Sequence, residues 1–326
     1  MVKEESILDI IIPVYNAKKT LLRTLCSIAL QKKFYNYKVY IINDCDHCDY
    51  NYEIDFVKNY FKVNYIKLEK NVGPGQARQK GINASKSKYI MFIDSDDYLY
   101  NPYVLYEISN IMKKEKFDLL VSNFIYQRDN EVSIRKNDNT WLHGKVYNRK
   151  FLSDNQIEFN DTRANEDNGF NRLIFLNKPI QYNLDLVTYV YAENSESITR
   201  RNNREYKFTS IGDLVFNINW AMSKVIDKEK SVRLVALTSY ALMYALYYYY
   251  NELYDEYDVS KIIEWSKDSL KYYNKYSALL TEKDKQILIE DKKREYINKS
   301  IDFKLSFNDF LKKVSEYNDW HNNTCL

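Results

Sequence analysis

Histidine, cysteine, glycine and proline are all scarce in this chain, and each scarcity narrows what it can be. Three histidines and four cysteines occur in 326 residues. The cysteines, Cys26, Cys45, Cys48 and Cys325, form no disulfide framework, which suggests a reducing compartment. Cys45-Asp-His-Cys48 has the spacing of a metal or redox pair, but a structural zinc needs four ligands and no second pair follows at a suitable distance. Local divergence of a loop is the simpler reading. There is no Pro/Gly/Ser-rich linker and no internal repeat, so the chain is expected to pack as adjoining parts rather than as beads on a tether. The net charge is only +3, which gives no strong electrostatic case for nucleic acid and leaves room only for a local basic patch. The most membrane-like stretch, Leu234 to Tyr250, carries Thr238, Ser239 and a row of tyrosines and abuts Arg233. It reads as a Tyr-lined buried helix or docking face, not a stable transmembrane segment. The charged start, Met-Val-Lys-Glu-Glu-Ser, leads into a strand-length apolar run and lacks a signal-peptide core. The expected address is cytoplasmic, with the inner face of a membrane left open.

The most informative segment is Lys88-Tyr-Ile-Met-Phe-Ile-Asp94-Ser95-Asp96-Asp97. An apolar run with no polar alternation suits a buried strand of a parallel sheet. Such sheets bind ligands beyond the carboxyl ends of their strands. Three like charges at that position repel unless a cation or strong donors neutralise them. Hard oxygen ligands favour Mg²⁺ or Mn²⁺, ions that commonly bridge to phosphates. The plain alternative is a solvated turn at a strand end.

Upstream, Leu8–Val14 reads as a strand, followed by a helix bearing Leu21, Leu22, Leu25, Ile28 and Ala29 with Thr20 as its candidate cap. Val39–Ile42 and Val63–Leu68 read as further strands. Asn71–Gly75 reads as a loop and Gln76–Ala84 as a helix. Alternating strands and helices imply right-handed crossovers and a parallel sheet. Tyr15, Asp44, Asn71 and Asp94 then fall at one edge of that sheet. Beyond Pro102 the pattern predicts a helix over 103–114, a strand over 117–126, a polar surface loop over 127–140 and a helix following Glu166-Asp167 to about Leu176. From about residue 207 it is helical, with Thr281/Asp284 and Ser306/Asp309 as helix starts.

Taken in order, Ile-Ile-Ile-Pro13-Val14-Tyr15-Asn16, Asn43-Asp44, Asn71-Val-Gly73-Pro-Gly75-Gln-Ala77-Arg78 and Phe92-Ile-Asp94-Ser95-Asp96-Asp97 resemble the family 2 glycosyltransferases with a GT-A fold. The likeness is dense over about the first hundred residues. It continues more thinly through His143-Gly-Lys145-Val-Tyr147 and Glu166-Asp167 to Tyr189-Val-Tyr191. The resemblance implies an α/β fold, a Rossmann-like and mostly parallel sheet with helices on both faces, followed by a helical C-terminal region. It implies a catalytic domain over 1–206 and a helical domain over 207–326 for acceptor binding or assembly, with oligomerisation through those helices as one use. The donor would be a nucleotide sugar, most simply UDP-linked. Pro13, Val14 and Tyr15 would form a wall against the base, and Asp44 would accept a pyrimidine imide N–H. Asn71, Gly75, Arg78, Asp94 and Ser95 would contact the nucleotide. Asp96, with Asp94, would hold Mn²⁺ or Mg²⁺ against the diphosphate. His143 and Lys145 would line the donor sugar and diphosphate. Asp167 would be the general base of an inverting transfer and Glu166 its support.

Two departures stand out. Cys45-Asp-His-Cys48 replaces the family's usual Gly-Ser, and Ala192 stands where Arg is common, so Arg200, Arg201 or Arg204 would have to supply the mobile cation. Two other classes remain open at this stage. One is a phosphohydrolase of the haloacid dehalogenase type, although its Asp-x-Asp normally lies nearer the N-terminus. The other is a non-catalytic nucleotide-sugar-binding module. The acceptor is unidentified: glycan, cell-wall polymer, protein and modified nucleic acid all fit.

Overall fold

The computed structural model describes residues 6–128, 131–194, 204–225, 227–297 and 299–323. Ser197–Thr199, Arg200, Arg201 and Cys325, and the side chain of Arg204, lie outside that description. The chain divides into two compact units, 1–202 and 203–326.

The first unit opens with β1 (Leu8–Val14), α1 (Leu21–Ala29), β2 (Tyr37–Asn43), α2 (Asn51–Val57), β3 (Lys62–Lys67), α3 (Pro74–Ala84) and β4 (Tyr89–Phe92). These four strands pair in parallel in the order β3-β2-β1-β4. β1 and β4 run through the middle of the sheet, and Leu8, Ile10, Ile11, Ile12, Ile90 and Met91 are fully buried, which is why both read as largely apolar runs. The one charge in β1, Asp9, is buried and accepts from the Ser85 and Ser87 hydroxyls (each 2.7 Å), so it pins the turn ahead of β4. Gly81 of α3 faces Ile11: a Cβ there would stand 2.4 Å from Ile11 Cγ2, so the absent side chain sets how closely helix meets sheet.

The unit continues with β5 (Tyr98–Leu99), α4 (Val104–Lys114), β6 (Leu119–Arg128), β7 (Glu131–Arg135), β8 (Lys145–Asn148), α5 (Arg149–Asp154), α6 (Glu166–Leu176) and β9 (Gln181–Tyr191). Here the sheet becomes mixed. β8 is antiparallel to both β4 and β6, β6 is parallel to β9, and β5 and β7 add antiparallel edges. The parallel order expected from the first hundred residues therefore holds only for the first half.

Two local expectations need correction. The stretch read as a polar loop carries β7, paired to β6 from Arg128↔Glu131 to Phe124↔Arg135. All five residues of β7 are exposed, so burial leaves no alternation in the sequence. Thr20 stands at the start of α1 but does not cap it; its backbone is already helical and its hydroxyl turns back to the Ala17 carbonyl.

The second unit is helical: α7 (Arg204–Ser223), α8 (Val232–Glu252), α9 (Ser260–Tyr276), α10 (Glu282–Glu295) and α11 (Phe307–Asn323). In α8, Tyr240, Tyr244, Tyr247, Tyr248 and Tyr250 are buried, and their rings pack on one another and on Tyr296, Phe303, Phe307 and Phe310. The tyrosine row thus builds a core. No helix among the described residues is long and apolar enough to cross a membrane. Thr281 and Asp284 form a reciprocal capping box, and Ser306 and Asp309 exchange the same pair of bonds.

Candidate active site

The carboxyl ends of β1, β2 and β4 meet the loop before α3 and the first turn of α6. Beyond β1, Val14 is buried, Pro13 is half-buried and Tyr15 is half-exposed at 50%. At the end of β2, Asp44 is buried and takes two backbone amides of the glycine loop, Val72 N–H on Oδ1 (2.7 Å) and Gly73 N–H on Oδ2 (2.8 Å). Burial pushes its carboxyl up, against the pull of those two amides. Asp44 therefore shapes the loop whatever else it contacts. Its neighbour Asp46, not singled out from the sequence, is a second buried hub: it accepts from Asn16 N–H (2.6 Å), the Tyr50 hydroxyl (2.5 Å) and Asn43 Nδ2 (3.0 Å). Cys45 has a positive φ of 57° and its thiol donates to the Glu69 carbonyl.

Arg78, on the first turns of α3, links two groups of carboxylates. It is 5% exposed and donates to Asp94 Oδ1 (2.6 Å) and to Glu166 Oε1 (2.8 Å). A residue readable as a surface helix cation is thus a buried bridge between the tip of β4 and the start of α6. Burial alone would raise Asp94; Arg78, and then His143, outweigh it and hold that carboxyl well below the usual carboxylate range. Gly75 permits the approach, because a Cβ there would lie 2.7 Å from Glu166 Cγ.

The carboxylates of the acidic tip are hydrogen-bonded by neighbouring donors. Asp96 accepts from Asn194 Nδ2 (2.8 Å) and its carbonyl from Arg23 (2.5 Å). The Ser95 carbonyl accepts from Thr24 (3.1 Å). Asp97 is fully buried and accepts from the Tyr189 hydroxyl (2.6 Å) and Ala192 N–H (2.9 Å). Burial, then repulsion from Asp96 and Asp94, pushes the Asp97 carboxyl far up. His143 packs on the rings of Tyr189 (4.8 Å, 17°) and Tyr191 (5.0 Å, 32°). Its Nε2 is 3.6 Å from Asp94 Oδ2 and 3.7 Å from Asp97 Oδ2. Burial lowers the imidazole's pKa and favours the neutral form, and Nδ1 is buried with no partner. Lys145 is fully buried, donates to the Trp141 carbonyl and is brought down to about 8 by burial.

Two carboxylates and an imidazole form a donor set suited to Mn²⁺. Asp94, Asp97 and His143 are the one group of this kind among the described residues, with ligand atoms within 4.8 Å of one another. This set shares Asp94 with the pair read from the sequence but brings in Asp97 and His143 where Asp96 was expected.

Asp167 occupies the first turn of α6 beside Glu166. Burial, reinforced by repulsion from Glu166, raises its carboxyl to about 7, while Arg78 and the Asn168 amide (2.8 Å) oppose the rise. A carboxylate in that range suits proton abstraction near neutral pH. Arg163, which sequence reasoning missed, lies just upstream and donates to Asn71 Oδ1 (2.5 Å). No pattern flanks it; only the tertiary contact marks it.

The model of glycosyl transferase family 2 matches residues 9–167. A glycosyltransferase of Rickettsia bellii, described as uncharacterized, is 34% identical over 123 residues, 38% of this chain and 17% of its own length. The poly(ribitol-phosphate) beta-N-acetylglucosaminyltransferase TarP of Staphylococcus aureus is 26% identical over 211 residues, 58% of this chain and 64% of its own. The chain thus spans less than two thirds of the length of these curated relatives. Among solved structures, residues 1–349 of S. aureus TarS in complex with UDP-GlcNAc superpose with a TM-score of 0.70 at 18% identity, over 96% of this chain and 91% of that one. The mannosyltransferase PcManGT of Pyrobaculum calidifontis, in complex with GDP-Man and Mn²⁺, gives a TM-score of 0.56 at 12% identity, over 98% and 88%. The stretch 9–167 thus matches the family 2 glycosyltransferases, and the fold is the GT-A fold of the TarS structure, followed by a helical C-terminal region.

Proposed function

We propose that this protein is a metal-dependent, inverting glycosyltransferase that moves a sugar from a UDP-linked donor to a hydroxyl of an acceptor whose class is open. The observation that supports this most directly is the Arg78 bridge. One guanidinium joins Asp94, assigned to the donor side, with Glu166, beside the proposed base. The UDP assignment is supported by the UDP-GlcNAc and UDP held in the TarS structures, and by lone pairs left on Asp44 after it accepts the loop amides.

In the proposed reaction, Asp167 takes the proton from the acceptor hydroxyl. The acceptor oxygen forms its bond to the anomeric carbon as the bond from that carbon to the diphosphate oxygen breaks, and UDP leaves. One displacement inverts the anomeric centre. Arg78 keeps Glu166 paired and so limits its repulsion of Asp167. His143 and Lys145 carry little exposed surface and would position the diphosphate side. Asp94, with Asp96 or with Asp97 and His143, would hold Mn²⁺ or Mg²⁺, which when bound offsets the charge developing on the leaving diphosphate. The first unit carries this chemistry, and the helical unit is proposed to serve acceptor binding or assembly.

UDP release from UDP-GlcNAc should require Mn²⁺ or Mg²⁺ and should be abolished by EDTA. In Asp167→Asn, turnover should fall about 10²–10⁴-fold while UDP still binds. Undiminished turnover in Asp167→Asn, or in EDTA-treated protein, would refute the assignment.

A further inference from the structure

The loop before α3 and the segment before α6 are tied at several points. Gln76 Nε2 donates to the Phe159 carbonyl (3.0 Å), and Phe159 N–H donates to Gln79 Oε1 (2.9 Å). Glu166 packs on Gly75 and pairs with Arg78. On the exposed rim a further tie crosses between them. The Arg163 stem lies over Gly73, 3.4 Å from where a Cβ would stand. Its guanidinium donates to both Asn71 Oδ1 (2.5 Å) and the Asn71 carbonyl (3.4 Å). Asn71 in turn donates to the Asp44 carbonyl (3.3 Å). Two residues after Arg163, Asn165 enters α6 in the left-handed region (φ 57°) and is followed directly by Glu166 and Asp167. Asparagine enters that region more readily than most residues with a Cβ, and its Oδ1 accepts from Asn168 Nδ2 (3.1 Å) within the first turn.

We propose that Arg163 is a positioning residue: a strap across the glycine loop that fixes the first turn of α6, and with it Asp167, relative to the loop. It rests on the functional reading above and adds a coupling to it. Occupation of the loop by nucleotide steadies Asn71, Asn71 steadies Arg163, and Arg163 orients the base. The strap is exposed and its partner is a neutral amide, so it contributes little to global stability. Its effect falls on geometry, where small displacements of a catalytic group are costly in rate.

The test combines kinetics with amide exchange. Arg163→Ala should keep UDP affinity within about threefold of wild type while kcat falls about tenfold or more. Arg163→Lys should recover part of kcat, because an ammonium can reach one Asn71 oxygen but not span two. In the free protein, a peptide covering 164–172 should exchange faster in Arg163→Ala than in wild type, and UDP should no longer slow it. Wild-type kcat in Arg163→Ala overturns the strap. So does a loss of UDP affinity equal to the loss of kcat, which would make Arg163 a direct nucleotide contact. Wild-type protein that binds no UDP would instead overturn the functional reading. The strap is then decided by exchange in the free protein, where an unchanged 164–172 peptide refutes it.

Discussion

Replacing Asp167 by asparagine should stabilise the protein while it destroys turnover, and the stabilisation should grow with pH. The carboxyl is raised from 3.8 to about 7, first by burial and then by Glu166. The folded state therefore binds a proton more tightly than the unfolded chain, and stability falls as pH rises from about 4 to about 7. At about 1.36 kcal/mol per unit, the charged carboxylate costs the fold about 4 kcal/mol at pH 8 and about 2 kcal/mol at pH 5. Asparagine is nearly isosteric and has no such term. The stability gap between Asp167→Asn and wild type should therefore widen by about 2–3 kcal/mol between pH 5 and pH 8, less whatever Glu166 and Arg78 give back by relaxing. For a unit of this size that is a difference of about 5–10 °C in melting temperature. Thermal melts of both proteins at the two pH values measure it. On the proposed mechanism the same titration should set the activity: kcat, followed as UDP release, should be lost as pH falls through about 7, with roughly a tenfold rise from pH 6 to pH 8. A gap independent of pH, or an asparagine variant less stable than wild type at pH 8, would show that Asp167 is not held charged against its surroundings. The proposed base would then lose its physical basis.

Arg78→Met should cost about 3–5 kcal/mol in urea unfolding at pH 8, because it strands Asp94 and Glu166, and clearly less near pH 4, where the stranded carboxyls can take up protons; equal losses at both pH values would argue against the bridge. Gly81→Ala should cost about 1–3 kcal/mol through the clash with Ile11, and Ile11→Ala in the same chain should restore part of it; additive losses would mean that α3 does not meet β1 as closely as described.

In the parallel half of the sheet β1, β2 and β4 were legible because they are buried on both faces and leave apolar runs, while β3 at the edge is nowhere fully buried. The other half obeys different rules. β7 is exposed at every residue, and β9 begins with alternating exposed positions, so neither leaves a run to read. The motifs at the strand ends were legible in order, but the partners of their side chains were not. Arg78 meets Asp94 across 16 residues and Glu166 across 88, separations that no local pattern encodes. The acidic tip shows the consequence most clearly. Three aspartates within four positions read as one repelling group awaiting a cation, yet each has its own donors: Arg78 for Asp94, Asn194 for Asp96, Tyr189 and Ala192 for Asp97. Spacing alone could not tell the buried Asp97 from the half-buried Asp94 and Asp96, because that distinction is made by β9, which arrives some ninety residues later. A substitution at Tyr189 should therefore be felt at the acidic tip as strongly as one within it, since removing the hydroxyl leaves a fully buried carboxyl with only the Ala192 amide among these donors.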